Sequence, residues 1–217
     1  MDIRANITAI NDTIYKAREM SPLARADITL LAASKSQTIE VIEQTILAGI
    51  TCFGENRVQE AESKWVELKQ KYPHIKLHLI GALQTNKVKQ ALELFDVVQT
   101  LDRISLAEAI ASMNFNGKQF YIQINTGEEP QKSGVLPQDA DNFIYYCINE
   151  LKLPVVGLMC VPPADQPTAP HFALLRSIAV GSNLQNLSMG MSGDFETAIR
   201  MGSSLIRIGS ALFGERG

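Results

Sequence analysis

The sequence lacks the marks of most large functional classes. Its three cysteines, Cys52, Cys147 and Cys160, are odd in number and show no CxxC or other metal-ligand spacing. A disulfide framework and a cysteine-built zinc site are therefore not expected, and reduced thiols in a reducing compartment are. No stretch reaches the roughly 18 apolar residues of a membrane span. The N-terminal MDIRANITAINDTIYKAREM carries acids and amides among its isoleucines, where a signal peptide has an unbroken apolar core. A cytoplasmic protein is expected. Charge of one sign is lacking too. Twenty Lys and Arg against 23 Asp and Glu leave a net −3, and the basic residues form no block, so no attraction to nucleic acid or to a membrane surface is expected. No GxSxG, P-loop or GxGxxG opens a helix after a strand-like run. His74 and His78 are four apart, but Pro73 precedes them and His78 lies in a strand pattern. The helical zinc pair is excluded, and no metal site is expected.

What is there is a repeat. Ile3, Ile7, Ile10 and Ile14 form one apolar stripe and predict an N-terminal helix. Eight strand-like runs follow, at residues 28–34, 51–55, 75–81, 96–101, 119–125, 154–160, 186–192 and 204–209. Helical patterns separate most of them. One has Ile39, Ile42, Ile46 and Leu47 on a single face before Gly49; another has Val58, Ala61, Trp65 and Leu68 before Pro73. Ser105 and Glu108 have the spacing of a capping box. Eight βα units argue for an α/β fold with a parallel sheet closed into a (β/α)8 barrel, with the first helix as an addition. An open doubly wound sheet is the alternative, disfavoured without a dinucleotide fingerprint. With 217 residues, ordinary composition and no linker, one domain over 1–217 is expected.

In such barrels chemistry sits at the C-terminal ends of the strands. Lys35 closes the first strand in AASKSQ; it either reaches past the rim into solvent or serves as an amine nucleophile toward an aldehyde. MSGD (191–194) and IGSALFG (208–214) follow the seventh and eighth strands, where barrels often hold phosphate on backbone N–H groups. Gly193 and Gly209 would equally serve tight turns, and the Asp194 carboxylate must point away from any anion there. Arg207, inside an apolar strand, needs a polar partner: a structural ion pair, or a ring nitrogen of a bound cofactor. Asn56 either caps the next helix or meets a ligand.

Six stretches together carry a resemblance: ASKSQ (33–37), CFGENRVQEA (52–61), LHLIGALQTNK (77–87), VGLMCVPP (156–163), LSMGMSGDFETAI (187–199) and GSSLIRIGSALFGER (202–216). In that order they resemble the pyridoxal phosphate (PLP) homeostasis family, YggS-like in bacteria and the proline synthetase co-transcribed homologues in eukaryotes. The resemblance implies a barrel like the N-terminal domain of alanine racemase and PLP as cofactor, held as a Schiff base on Lys35. It implies Asn56 beside the cofactor, with Ile80 and Met189 as walls. Ser192, Gly209 and Ser210 would hold the phosphate, and Arg207 would face the pyridine nitrogen, leaving it unprotonated and the ring a poor electron sink. The chain departs from many relatives at Arg57, where an aromatic is common, and at Cys160 and Ser210, where threonine is frequent.

The function implied is a carrier that buffers PLP and supplies it to PLP-dependent apoenzymes, expected as a monomer. The alternative is a PLP-dependent, racemase-like enzyme. That needs a second acid/base across the substrate α-carbon, which alanine racemases take from a β-rich domain that has no counterpart in this length. Tyr15, Tyr72, Tyr145 and Tyr146 fall in helical patterns or turns, and Tyr121 mid-strand. A Schiff-base aldolase without PLP would need further charged rim groups, for which Glu55 is the one obvious candidate.

Overall fold

A computed structural model describes residues 2–214. Eight strands form one closed parallel barrel in chain order: β1 (Thr29–Ala33), β2 (Cys52–Glu55), β3 (Lys76–Leu79), β4 (Val97–Leu101), β5 (Gln119–Gln123), β6 (Val155–Met159), β7 (Asn186–Met191) and β8 (Leu205–Ile208). The ring closes between β1 and β8, with Leu31 opposite Arg207. Helices α1 (Ile3–Glu19), α2 (Ile39–Leu47), α3 (Val58–Lys71), α4 (Val88–Leu94), α5 (Ile104–Ala111), α6 (Ala140–Tyr145), α7 (Thr168–Gly181), α8 (Phe195–Arg200) and α9 (Ser210–Phe213) surround it. The α6 helix runs on through a π turn, Tyr146–Glu150. The barrel and the added α1 are as the repeat predicted, and Ile3, Ile7 and Ile10 are the buried stripe of α1.

Strand alternation sorts the core into two layers. Outward residues such as Phe53, Leu77, Leu79 and Leu187 pack with the helices in one large apolar cluster. Inside the barrel, Leu31, Cys52 and Leu205 form one small cluster with Ile80, and Val97, Tyr121 and Met159 form another with Val156.

The capping box is not formed. The N-cap of α5 is Arg103, without a side-chain cap, so Ser105 lies within the helix and Glu108 accepts instead from the Tyr146 hydroxyl at 3.0 Å. The reason lies upstream. The Arg103 guanidinium bonds the Leu83 carbonyl (2.9 Å) and Asp102 (2.6 Å), which fixes an extended residue at 103 and starts the helix at Ile104.

Candidate functional site

A cavity of about 550 Å³ opens at the C-terminal rim, between the ends of β1, β2, β7 and β8. That is within the range of small-molecule sites. Lys35, half-buried, stands in its wall just beyond β1, with Ala33 below it and Gln37 beside it. Asn56 enters from the end of β2, one residue before the Arg57 N-cap of α3, so it does not cap that helix. Ile80 follows β3. A Cβ on Gly81 would lie 2.2 Å from the Asn56 carbonyl oxygen, so only glycine there lets the β3 rim close against Asn56.

The opposite wall comes from β7 and β8. Ser188 on β7 points into the barrel, which by alternation turns the Met189 side chain outward into the apolar layer, fully buried and away from the cavity. The pairing then shifts register, since Ser188 meets Leu205 and Met191 meets Arg207. Gly190, at φ 96°, carries this bulge where a Cβ would strike Ala198 at 2.5 Å. The bulge re-aims the strand end, so that Met191 lines the cavity with Ser192 and Gly193. Thus Lys35, Asn56, Ile80, Ser192, Arg207, Gly209 and Ser210 surround one space, and Met189 does not join them. Sequence reasoning missed Met191, and also Ala33, Gln37, Val161 and Phe213, which share the lining. Ala33 ends β1 two residues before Lys35, and period two was the signal available for it. The bulge behind Met191 has no sequence signal beyond Gly190.

The Ser192 Oγ accepts from the backbone N–H groups of Gly209 and Ala211, both at 3.2 Å, and keeps its hydroxyl hydrogen for another acceptor. The Asp194 carboxylate is turned onto its own loop, taking the Met191 N–H at 2.6 Å, and is not part of the cavity lining. A Cβ on Gly209 would meet only Ala33, at 3.8 Å, and one on Gly193 nothing within 4 Å. At these two positions glycine leaves room in the cavity. The last two residues of the FGER motif, 215 and 216, lie outside the described residues.

Arg207 is buried and held by three hydrogen bonds: Nη1 to the Ser188 carbonyl and hydroxyl, both 2.7 Å, and Nη2 to the Cys160 carbonyl at 2.8 Å. Burial pulls its pKa down, but a guanidinium starts high enough to stay charged. Among the described residues its partners are dipoles, and no carboxylate is bound to it. From Ser188 a chain of bonds crosses the barrel interior. The Ser188 hydroxyl donates to Gln99 Oε1 (2.6 Å), Gln99 Nε2 donates to His78 Nδ1 (2.8 Å), and His78 Nε2 meets Cys52 Sγ at 3.3 Å. Since the Gln99 amide gives its hydrogen to Nδ1, His78 carries its own on Nε2 and is neutral. Burial agrees, lowering the ring to about 4 and pushing the Cys52 thiol up to about 12.

A pH dependence follows. The unfolded ring takes a proton near 6.5 and the folded ring only near 4. The stability it contributes is complete above pH 6.5 and is lost as pH falls toward 4, about 3 kcal/mol in all. Melting or denaturant curves should weaken over that window in the wild type, and less in His78→Gln. Parallel losses in both proteins would exclude this ring as the titrating group.

The remaining candidates lie elsewhere. Glu55 turns outward, fully buried against α3, with Oε1 accepting from Lys64 (2.8 Å), Trp65 (3.0 Å) and Ser34 (2.7 Å). Among the described residues no tyrosine or histidine lines the cavity; Tyr121 is inside the barrel, its phenol pushed up to about 12 by burial. The three cysteines are buried and free. Among the described residues no cluster of three or more His, Cys, Asp or Glu could hold a metal ion, and no helix is long and apolar enough to cross a membrane.

The family model for the N-terminal domain of alanine racemase matches residues 3–217. A pyridoxal phosphate homeostasis protein of Vibrio cholerae is 37% identical over 99% of this chain and 96% of its own length. One from Aquifex aeolicus is 36% identical over 100% and 99%. The structure of PipY from Synechococcus elongatus with PLP bound superposes with a TM-score of 0.83 at 29% identity, covering 98% of this chain and all of that one. Alanine racemase from Corynebacterium glutamicum shares the fold, with a TM-score of 0.72 at 17% identity over 62% of its chain. By these matches and by its closed eight-stranded barrel, the chain belongs to the family of pyridoxal phosphate homeostasis proteins.

Proposed function

We propose that this protein binds PLP in the rim cavity as a Schiff base on Lys35 and serves intracellular PLP homeostasis, holding the cofactor and supplying it to apoenzymes. The observation that carries the reading is the convergence on one cavity of an amine (Lys35), a hydroxyl at a pair of backbone amides (Ser192) and a buried cation (Arg207). The residues fit the group, because Gly193 and Gly209 leave space beside Ser192 and Ser210 for a phosphate. PLP supplies an aldehyde. With PLP bound, Lys35 would be the residue whose amine meets that aldehyde as the Schiff-base partner. Ser192, Ser210 and the amides near Gly209 would hold the phosphate, and Asn56 and Ile80 would flank the ring, since all of them line this cavity. Arg207 donates and never accepts, so a ring nitrogen facing it stays unprotonated, which suits holding PLP better than stabilising carbanions.

The carrier role is favoured over a racemase-like enzyme by the lining itself, which among the described residues offers no tyrosine or histidine as a second acid/base. A PLP-free aldolase is disfavoured by Glu55, which faces α3 and not the cavity. The protein is proposed to act as a cytoplasmic monomer. The test is to load it with PLP, remove the excess and mix it with the apo form of a PLP-dependent enzyme. Activity of that enzyme is expected to return, while the loaded protein itself racemises or transaminates common amino acids no faster than free PLP. A turnover of its own that vanishes in Lys35→Ala would establish the enzyme instead. No reactivation would refute the supply role.

A further inference from the structure

We propose that Glu60 is a positioning residue for Lys35, acting with Lys64 and Glu55 as a clamp on the turn that presents the lysine; this rests on Lys35 being the Schiff-base lysine. After β1 the chain makes a tight turn in which the Gln37 N–H donates to the Ser34 carbonyl at 3.0 Å, with Lys35 and Ser36 at its centre. Ser36 has φ 66°, a left-handed conformation that such a turn ordinarily gives to glycine or asparagine. A serine there persists only where its surroundings hold it.

They do so on both sides of Lys35. The Ser36 N–H donates to Glu60 Oε1 at 2.8 Å. Lys64 Nζ donates to that same oxygen (3.2 Å), to the Ser34 carbonyl (3.3 Å) and to Glu55 Oε1 (2.8 Å). The Ser34 hydroxyl completes the ring by donating to Glu55 Oε1 at 2.7 Å. Both neighbours of the lysine are thereby tied to one Glu–Lys–Glu cluster on β2 and α3. Glu55 and Lys64 are buried, so the cluster is rigid, whereas the Glu60 side chain is 35% exposed and replaceable without opening the core. The Ser36 N–H beside Glu60 holds its carboxyl below the usual carboxylate range, as an engaged carboxylate requires. Nothing in PLP recognition itself uses these three side chains.

The experiment compares wild type, Glu60→Ala and Glu60→Gln, using PLP and pyridoxine 5′-phosphate, which has the ring and phosphate but no aldehyde. Misplacing a reacting amine slows its attack, so Glu60→Ala should form the coloured imine about tenfold more slowly with its affinity for pyridoxine 5′-phosphate unchanged. Glu60→Gln keeps an oxygen to accept the Ser36 N–H and should recover most of the rate. Equal imine rates in wild type and Glu60→Ala would overturn the proposal, as would equal weakening toward both ligands, which is the mark of a merely structural residue. No imine in the wild type itself would overturn the Lys35 reading and this proposal with it.

Discussion

Pyridoxal is expected to bind at least about a hundredfold more weakly than PLP, and Ser192→Ala to weaken PLP by about tenfold or more. A hydrogen bond to a charged group is worth roughly 1.5–3 kcal/mol, and a tenfold change in affinity is about 1.4 kcal/mol. Removing the phosphate forfeits several such bonds, and Ser192→Ala forfeits one directly. The serine has a second role, since its Oγ receives the Gly209 and Ala211 N–H groups and so organises the loop that would hold the anion. Binding also stabilises the fold, by about 2.7 kcal/mol at a free ligand concentration 100 times the dissociation constant. In a domain near 200 residues each kcal/mol moves the melting temperature by roughly 2–4 °C. A melting series with both ligands on both proteins should show PLP raising the wild type by several degrees, Ser192→Ala by less, and pyridoxal raising neither appreciably at the same concentration. Equal stabilisation of the wild type by pyridoxal and PLP would mean that the phosphate site is misplaced or does not exist.

The barrel was legible because each of its parts is local. Buried parallel strands read as short apolar runs, and helices such as α1 and α3 read as periodic stripes. Rim residues were legible for the same reason: a lysine, a serine or a glycine just past an apolar run must lie at the strand end, and Lys35, Ser192 and Gly209 do. What sequence could not give depends on register and on contacts distant along the chain. The resemblance implies Met189 as a wall, yet Ser188 faces inward toward Gln99, 89 residues away, and this sends Met189 out. The bulge at Gly190 then brings Met191 to the cavity. From sequence, Arg207 needs a polar partner, an ion pair or a cofactor nitrogen. Among the described residues its partners are the Cys160 carbonyl just past β6, 47 residues away, and the Ser188 carbonyl and hydroxyl on β7, 19 residues away. The capping box failed because the Arg103 side chain bonds Leu83, 20 residues upstream, which no local spacing records.

In the proposed state the PLP carbon is bonded to the Lys35 nitrogen, and reduction would make that bond permanent. The measurement is borohydride treatment of the PLP-loaded protein followed by peptide mapping, on the wild type and on folded Lys35→Ala. One principal reduced adduct is expected, on Lys35, with its loss in Lys35→Ala while the fold stays intact. A principal adduct on any other lysine, or an undiminished yield of adduct in Lys35→Ala, would contradict it.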